Sequence, residues 1–304
     1  MIPFYWNTNV IVIDDDKEIL DFLKSVIKTN NNKFHYFYSP IEALKFIKEN
    51  GNFDLEHLLV EYKENDFSRS GFNVDLTKAF MLADNKNKFN IISLILSDYD
   101  MPEMSGINLL NNASDICNAK KILLTGKLSP KEAIEFKGPV FDDYIEKDFK
   151  EIFVDKLNNK IDEQINNFFL DLFQPLKALL KSNIEYNILN NQNLFNYFKE
   201  LLKQNNIREY YVIDYTGTYY LVKNEKEKFL FFVQNNDQLD DSIAEYKEEI
   251  GDINILNKLC SKKYQAFKLE DKKVVYPPLE ELESNLHPVV KIIDNKYYVS
   301  LIKL

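Results

Sequence analysis

Aspartates stand where two apolar runs end. Val10–Ile13 runs into Asp14-Asp15-Asp16, and Ile91–Leu96 runs into Ser97-Asp98. Two further runs end in polar residues of another kind: Lys121–Leu124 at Thr125, and Tyr144-Ile145 near Lys147. Short apolar runs of this type are the mark of strands buried on both faces of a parallel sheet. In such a sheet all carboxyl ends lie on one side, where open α/β folds carry their ligands. Asp14/Asp15, Asp98, Thr125 and Lys147 should therefore converge. Three close carboxylates repel one another, and burial raises the cost. The site is thus expected to hold a hard divalent cation, Mg²⁺ (or Mn²⁺), which accepts one or two carboxylates, a carbonyl and several waters. One carboxylate can then act as a nucleophile toward phosphorus. Ion, ammonium and hydroxyl together neutralise the equatorial oxygens of a transferred phosphoryl group.

The elements needed to position these groups are legible around them. Ile19, Leu20, Leu23, Val26 and Ile27 recur at helical spacing after the first strand. Lys33–Tyr38 reads as a second strand. Pro40 opens the helix Ile41–Lys48, where an early proline is tolerated, and Gly51 stops it. After Asp98, Pro102 and Gly106 turn the chain into a helix over Ile107–Ile116, and Ser129-Pro130 opens another through Phe136. Five strands alternating with helices predict a doubly wound parallel sheet with right-handed crossovers. Residues 52–90 exceed what this alternation needs. They form an insertion with two helical segments, Leu55–Tyr62 and Val74–Ala83, that should lie at the amino ends of the strands, covering that end or offering a partner surface.

The motifs VIVIDDD, LILSDYDMPEMSG, ILLTG and DDYIEKD resemble those of the receiver domain of two-component response regulators, a flavodoxin-like five-stranded fold. The resemblance spans about Asn9–Lys150. It implies that Asp98 is the phosphoacceptor, with Asp15 as a direct metal ligand, Asp14 as a water-mediated one and the backbone carbonyl of Asp100 completing the set. It further implies that Thr125 is the switch hydroxyl, Lys147 the phosphate-binding lysine and Tyr144 the switch aromatic. Asp100 and Lys127 match the positions that flank the attacking water, and an ion pair between them is expected to tune phosphoryl lifetime. Phosphorylation would add about 1.5–2 negative charges and shift a two-state equilibrium. One departure stands out: Asp148 follows Lys147 where the family has proline.

Beyond Lys147, Leu157, Ile161, Ile165, Phe168, Leu172, Leu176 and Leu179 mark a long amphipathic helix, kinked or divided at Pro175. Its stripe fits against the receiver, the second domain or a second copy. At Asn205 the rhythm changes to strands over Glu209–Asp214, Thr218–Lys223 and Phe229–Gln234. Helices over Asp237–Ile250 and Asp252–Ser261 follow. Tyr264–Leu269 pairs with Val274-Val275, and Val289–Ile293 with Tyr297–Ile302, as hairpins. The resulting division is a receiver domain at 1–148 with insertion 52–90, a helical linker at 149–204, and a smaller α+β output domain at 205–304 built on antiparallel hairpins.

Composition narrows the function classes. The net charge of −10, and 14 Lys and Arg against 17 Asp and Glu from Ile207 to Leu304, disfavour DNA binding. No run approaches the about eighteen apolar residues of a membrane span, and the amino terminus is not a signal peptide. Two cysteines make no disulfide framework, so a cytoplasmic location is expected. No catalytic constellation appears in the second domain, so the chain reads as a signalling switch and not an enzyme. Its expected partners are a sensor histidine kinase or a histidine phosphotransfer protein, with a homodimer through the receiver face or the helix at 149–180. Two other readings stand beside it: a docking adaptor without phosphotransfer, and a receiver controlling an enzymatic or ligand-sensing second domain.

Overall fold

The computed structural model describes all residues except 1, 29–30, 52–59, 62–72, 75, 77, 127–137, 139, 149–151, 175, 178–190 and 215. In chain order the first half holds β1 (Phe4–Tyr5), β2 (Asn9–Ile13), α1 (Lys17–Val26), β3 (Lys33–Phe37), α2 (Pro40–Asn50), β4 (Val60–Glu61), β5 (Asn73–Val74) and α3 (Lys78–Asp84). A 3₁₀ turn (Lys86–Asn90), β6 (Ile92–Asp98), α4 (Gly106–Ser114), β7 (Lys120–Thr125), β8 (Asp143–Glu146) and α5 (Phe153–Leu172) follow. The second half holds α6 (Gln192–Gln204), β9 (Glu209–Val212), β10 (Tyr219–Val222), β11 (Lys228–Asn235), α7 (Asn236–Lys247), α8 (Ile253–Cys260), β12 (Tyr264–Ala266), β13 (Lys268–Glu270) and β14 (Lys273–Val275). It ends in β15 (Leu286–Pro288), β16 (Lys291–Ile293) and β17 (Tyr297–Lys303).

Five strands form a parallel sheet in the order β3-β2-β6-β7-β8. Every residue of β2 and β6 is buried, as expected for strands covered on both faces. Their alternation decides which face each side chain meets. Val10, Val12, Leu94 and Leu96 pack with α1 and α5, while Ile11, Ile13 and Ile95 pack with α2 and α4. The helices start at side-chain caps: Asp16 for α1, Ser39 ahead of Pro40 for α2, and Ser105 for α4. Each cap satisfies an N–H that the first turn leaves without a partner. The first half adopts the doubly wound parallel sheet expected from the strand–helix alternation, in the flavodoxin-like strand order that the resemblance implies.

The second half builds a six-stranded antiparallel sheet, β1-β9-β10-β11-β17-β16. Its edge strand comes from the amino terminus: Phe4 pairs with Tyr211 and Tyr5 with Tyr210. Two residues carry no periodicity, so nothing local marks them as belonging to this sheet. Tyr219 and Tyr220 face opposite sides of this sheet. Tyr219 meets Phe198 of α6 at 4.8 Å, and Tyr220 meets Phe80 of α3 at 4.7 Å. Helix α3 thus docks on the antiparallel sheet and gives it a second buried face. Of the two helices expected in the insertion, the second is α3, which begins at Lys78 because Val74 pairs in β5. The first lies mainly outside the described residues, as do the helix over 129–136 and the kink at Pro175.

The stripe of α5 is covered within the chain. Leu157, Ile161 and Ile165 are buried in the core shared by both sheets, and Phe169 meets Trp6 edge-on and Tyr5 at a tilt. In the second half, Tyr264–Leu269 does not form one hairpin with Val274-Val275. β12 pairs with β15, and only β13 pairs with β14. Among the described residues no helix is long and apolar enough to cross a membrane.

Two half-buried histidines make stability depend on pH. Burial pulls both imidazoles below their ordinary 6.5. The charge of Lys33 adds to this at His35, while the Phe267 carbonyl partly offsets it at His287. The folded pKa is thus below the unfolded one, so the unfolded chain binds protons first, and this stabilisation is lost as pH falls from about 7. The slope of unfolding free energy against pH in this range is expected to flatten in a His35→Gln/His287→Gln double variant.

Candidate functional site

The carboxyl ends of β2, β6, β7 and β8 bring the predicted residues to one edge of the parallel sheet. Carboxylate oxygens of Asp14, Asp15 and Asp98 all lie within 4.8 Å of one another. The three consecutive acids after β2 separate by role. Asp14 is 1% exposed and faces the cluster, Asp15 is exposed, and Asp16 turns away to cap α1. Lys147 reaches across from beyond β8. Its Nζ donates to Asp14 Oδ2 at 2.6 Å and to Asp98 Oδ1 at 2.5 Å. Asp98 Oδ2 accepts the Asp100 N–H at 3.0 Å, and Asp14 Oδ1 accepts the Asp16 N–H at 3.1 Å. Each buried carboxylate is therefore held from both sides.

Burial pushes the Asp14 carboxyl above its ordinary value. The Lys147 ammonium and the Asp16 N–H pull it down, while the Asp98 charge pushes it up again. A dication in this cluster would meet hard oxygen donors that already repel one another, the donor set such an ion requires. The residues present therefore fit Mg²⁺ or Mn²⁺.

Thr125 ends β7 and is buried. Its carbonyl accepts the N–H of Lys147 at 2.8 Å, which ties the lysine's backbone to the β7 terminus. Asp148 has the place the family gives to proline, yet it is exposed and donates its N–H to Glu146 at 3.0 Å. The lysine still reaches both carboxylates. Tyr144 lies opposite Leu123 on β8, half-buried against the core between the sheet and the α2 and α4 helices. Asp100 is exposed, and Lys127 lies outside the described residues.

Gly106 contributes more than the turn read from the sequence. A Cβ there would lie 1.9 Å from the Asp98 carbonyl oxygen and 3.0 Å from Ser97 Oγ. Its N–H meanwhile donates to the Tyr99 carbonyl at 3.0 Å, closing the loop that follows Asp98. Only glycine lets the loop fold back this closely on the strand end. Gly106→Ala must push the Asp98 backbone or the start of α4 aside, with an expected cost of about 1–3 kcal/mol in urea unfolding. The only signal in the sequence was the glycine itself, one helical turn ahead of the apolar pair Leu109-Leu110.

No family model and no curated relative matches the sequence. Among solved structures, the response regulator LqsR of Legionella pneumophila is similar over 100% of this chain and 89% of its own, at 21% identity and a TM-score of 0.78. A CheY-like receiver domain protein from Methanospirillum hungatei JF-1 is 21% identical over 53% of this chain and 96% of its own, at a TM-score of 0.36. The Francisella response regulator 1452 receiver domain is 24% identical over 53% of this chain and 98% of its own, at 0.35. The first similarity extends over both sheets. From end to end this chain shares the fold of that Legionella protein: a flavodoxin-like parallel sheet joined to an antiparallel one.

Proposed function

We propose that the chain is a phosphorylation-dependent response regulator that accepts a phosphoryl group on Asp98. The observation that carries this reading is the Lys147 ammonium shared between Asp14 and Asp98 at the carboxyl edge of the sheet. An Asp98 carboxylate oxygen attacks phosphorus of a phosphohistidine. The new O–P bond forms as the P–N bond breaks, and the imidazole leaves with the bonding pair and takes a proton. Lys147 then turns from Asp98 to the phosphoryl oxygens while keeping Asp14. Thr125 supplies a hydroxyl to the same group, and Tyr144 follows it as the switch aromatic. A divalent cation held by Asp14, Asp15, Asp98 and the Asp100 carbonyl supplies charge neutralisation when bound. Asp100 and Lys127 tune how long the phosphoryl group lasts.

In this reading the donor is a sensor histidine kinase or a histidine phosphotransfer protein in the cytoplasm. Residues 1–148 with the insertion form the receiver, 149–204 the helical linker and 205–304 an output domain that acts by protein–protein contact. The chain is a switch whose only chemistry is its own phosphorylation and dephosphorylation. Incubation with acetyl phosphate and Mg²⁺ is expected to add one phosphoryl mass to the intact chain, and EDTA to abolish the gain. If neither acetyl phosphate nor a histidine kinase yields that mass, the proposal fails and the domain is a docking module.

A further inference from the structure

A cleft of about 890 Å³ opens where α5, Asn31, α6 with the turn leading into β9, and the β10–β11 turn meet. Four cationic side chains line it, Lys199, Lys203, Arg208 and Lys223, against a single carboxylate, Asp162. That balance opposes the chain as a whole, whose net charge is −10. Among the described residues only Lys223 of the four makes an ion pair, with Glu227 at 3.0 Å. Lys199 lies over the Phe195 ring, 4.4 Å from its centroid. With 48 acidic residues available, three cations converging on one concavity without a carboxylate partner form a focused positive potential, which concentrates anions. The volume is in the range of small-ligand sites. Tyr5 adds an apolar wall, its ring stacked on Tyr210 at 5.5 Å.

We propose that this cleft binds a small phosphorylated ligand. The Arg208 fork and the Lys203 ammonium would take its phosphate oxygens, with Lys199 and Lys223 flanking. Arginine suits this role because its planar donors meet two oxygens at once. The walls come from both halves of the chain, α5 beneath the parallel sheet and the residues just before β9 and just after β10 of the antiparallel one. An occupant would therefore contact both.

Titration calorimetry of the full chain with inorganic pyrophosphate, and separately with adenosine triphosphate, tests the proposal. Saturable binding is expected, weakened at least about tenfold in a Lys203→Gln/Arg208→Gln double variant through loss of charge-assisted bonds. Both side chains are exposed, so the thermal midpoint of that variant should match the wild type. Lys258→Gln, outside the cleft, should leave affinity unchanged. Tighter binding of the nucleotide than of pyrophosphate would identify a nucleotide-like ligand resting on the Tyr5 wall; equal affinity would identify the phosphate groups alone as recognised. The proposal is overturned if neither probe saturates, or if the double variant binds as the wild type does. Binding lost instead in Lys147→Met would place the anion at the strand-end site and equally overturn it.

Discussion

Asp98→Asn is expected to abolish phosphoryl uptake outright while leaving the chain folded. An amide oxygen carries no full charge and is a poor nucleophile toward phosphorus, so no residual rate through that position is expected. The fold should survive because of how the lysine is shared. Lys147 Nζ keeps its 2.6 Å bond to Asp14, so neither the ammonium nor that carboxylate is left alone. The substitution also removes a charge that pushes the Asp14 carboxyl up, relieving repulsion between two buried acids. The thermal midpoint without metal is accordingly expected to hold or rise, and Mg²⁺ should raise it less than in the wild type. Intact mass after acetyl phosphate treatment reads the first effect, and melting with and without Mg²⁺ the second. A phosphoryl gain that persists in the variant would put the acceptor elsewhere.

Lys88→Met should cost stability on the order of 3–5 kcal/mol, the penalty for removing one partner of a buried ion pair. Lys88 sits on the 3₁₀ turn that closes the insertion and is 1% exposed. Its Nζ lies 3.0 Å from Glu209 Oε2 at the start of β9, and it also donates to the Ala83 carbonyl. Tyr211 donates its hydroxyl to the same Glu209 oxygen at 2.5 Å, and Trp6 Nε1 donates to the Lys88 carbonyl at 3.1 Å. Burial pulls the Lys88 pKa below its ordinary value, and Glu209 only partly restores it. Losing the lysine leaves the largely buried Glu209 carboxylate with the Tyr211 hydroxyl but without the Lys88 counter-charge. A Lys88→Met/Glu209→Gln double variant should recover part of the loss, since no charge then remains buried. Urea unfolding of the three proteins forms the test. A loss below about 1 kcal/mol in Lys88→Met, the scale of an exposed pair, would mean that water reaches the site.

Much of the receiver half was legible because its signals are local. Val10–Ile13 is an uninterrupted apolar run and Ile91–Leu96 is broken only by Ser93, and runs of that length between helical patterns specify a buried parallel strand whatever they pair with. Asp14, Asp98, Thr125 and Lys147 could be placed together because a parallel sheet puts every carboxyl end on one edge, a rule of topology that needs no side-chain detail. The hairpin strands at Glu209, Tyr219 and Phe229 showed in the same way, through bulky residues between turn signals.

Other features depend on which faces complement each other across the chain, and no local pattern encodes that. Phe4–Tyr5 is too short to have a period, and only the open edge of β9 makes it a strand. Lys88 reads as an ordinary surface lysine until Glu209, more than a hundred residues away, supplies its counter-charge. The α5 stripe announced that it would be buried, but three partners suited it equally. The structure seats it on the parallel sheet, with Phe169 near its end against Tyr5 and Trp6. What the sequence by itself determined was the strands of the parallel sheet, their buried faces and the polar residues that stand at their ends. Tertiary structure alone decided how the two sheets share a core, because that choice rests on surface fit and charge pairing between distant segments.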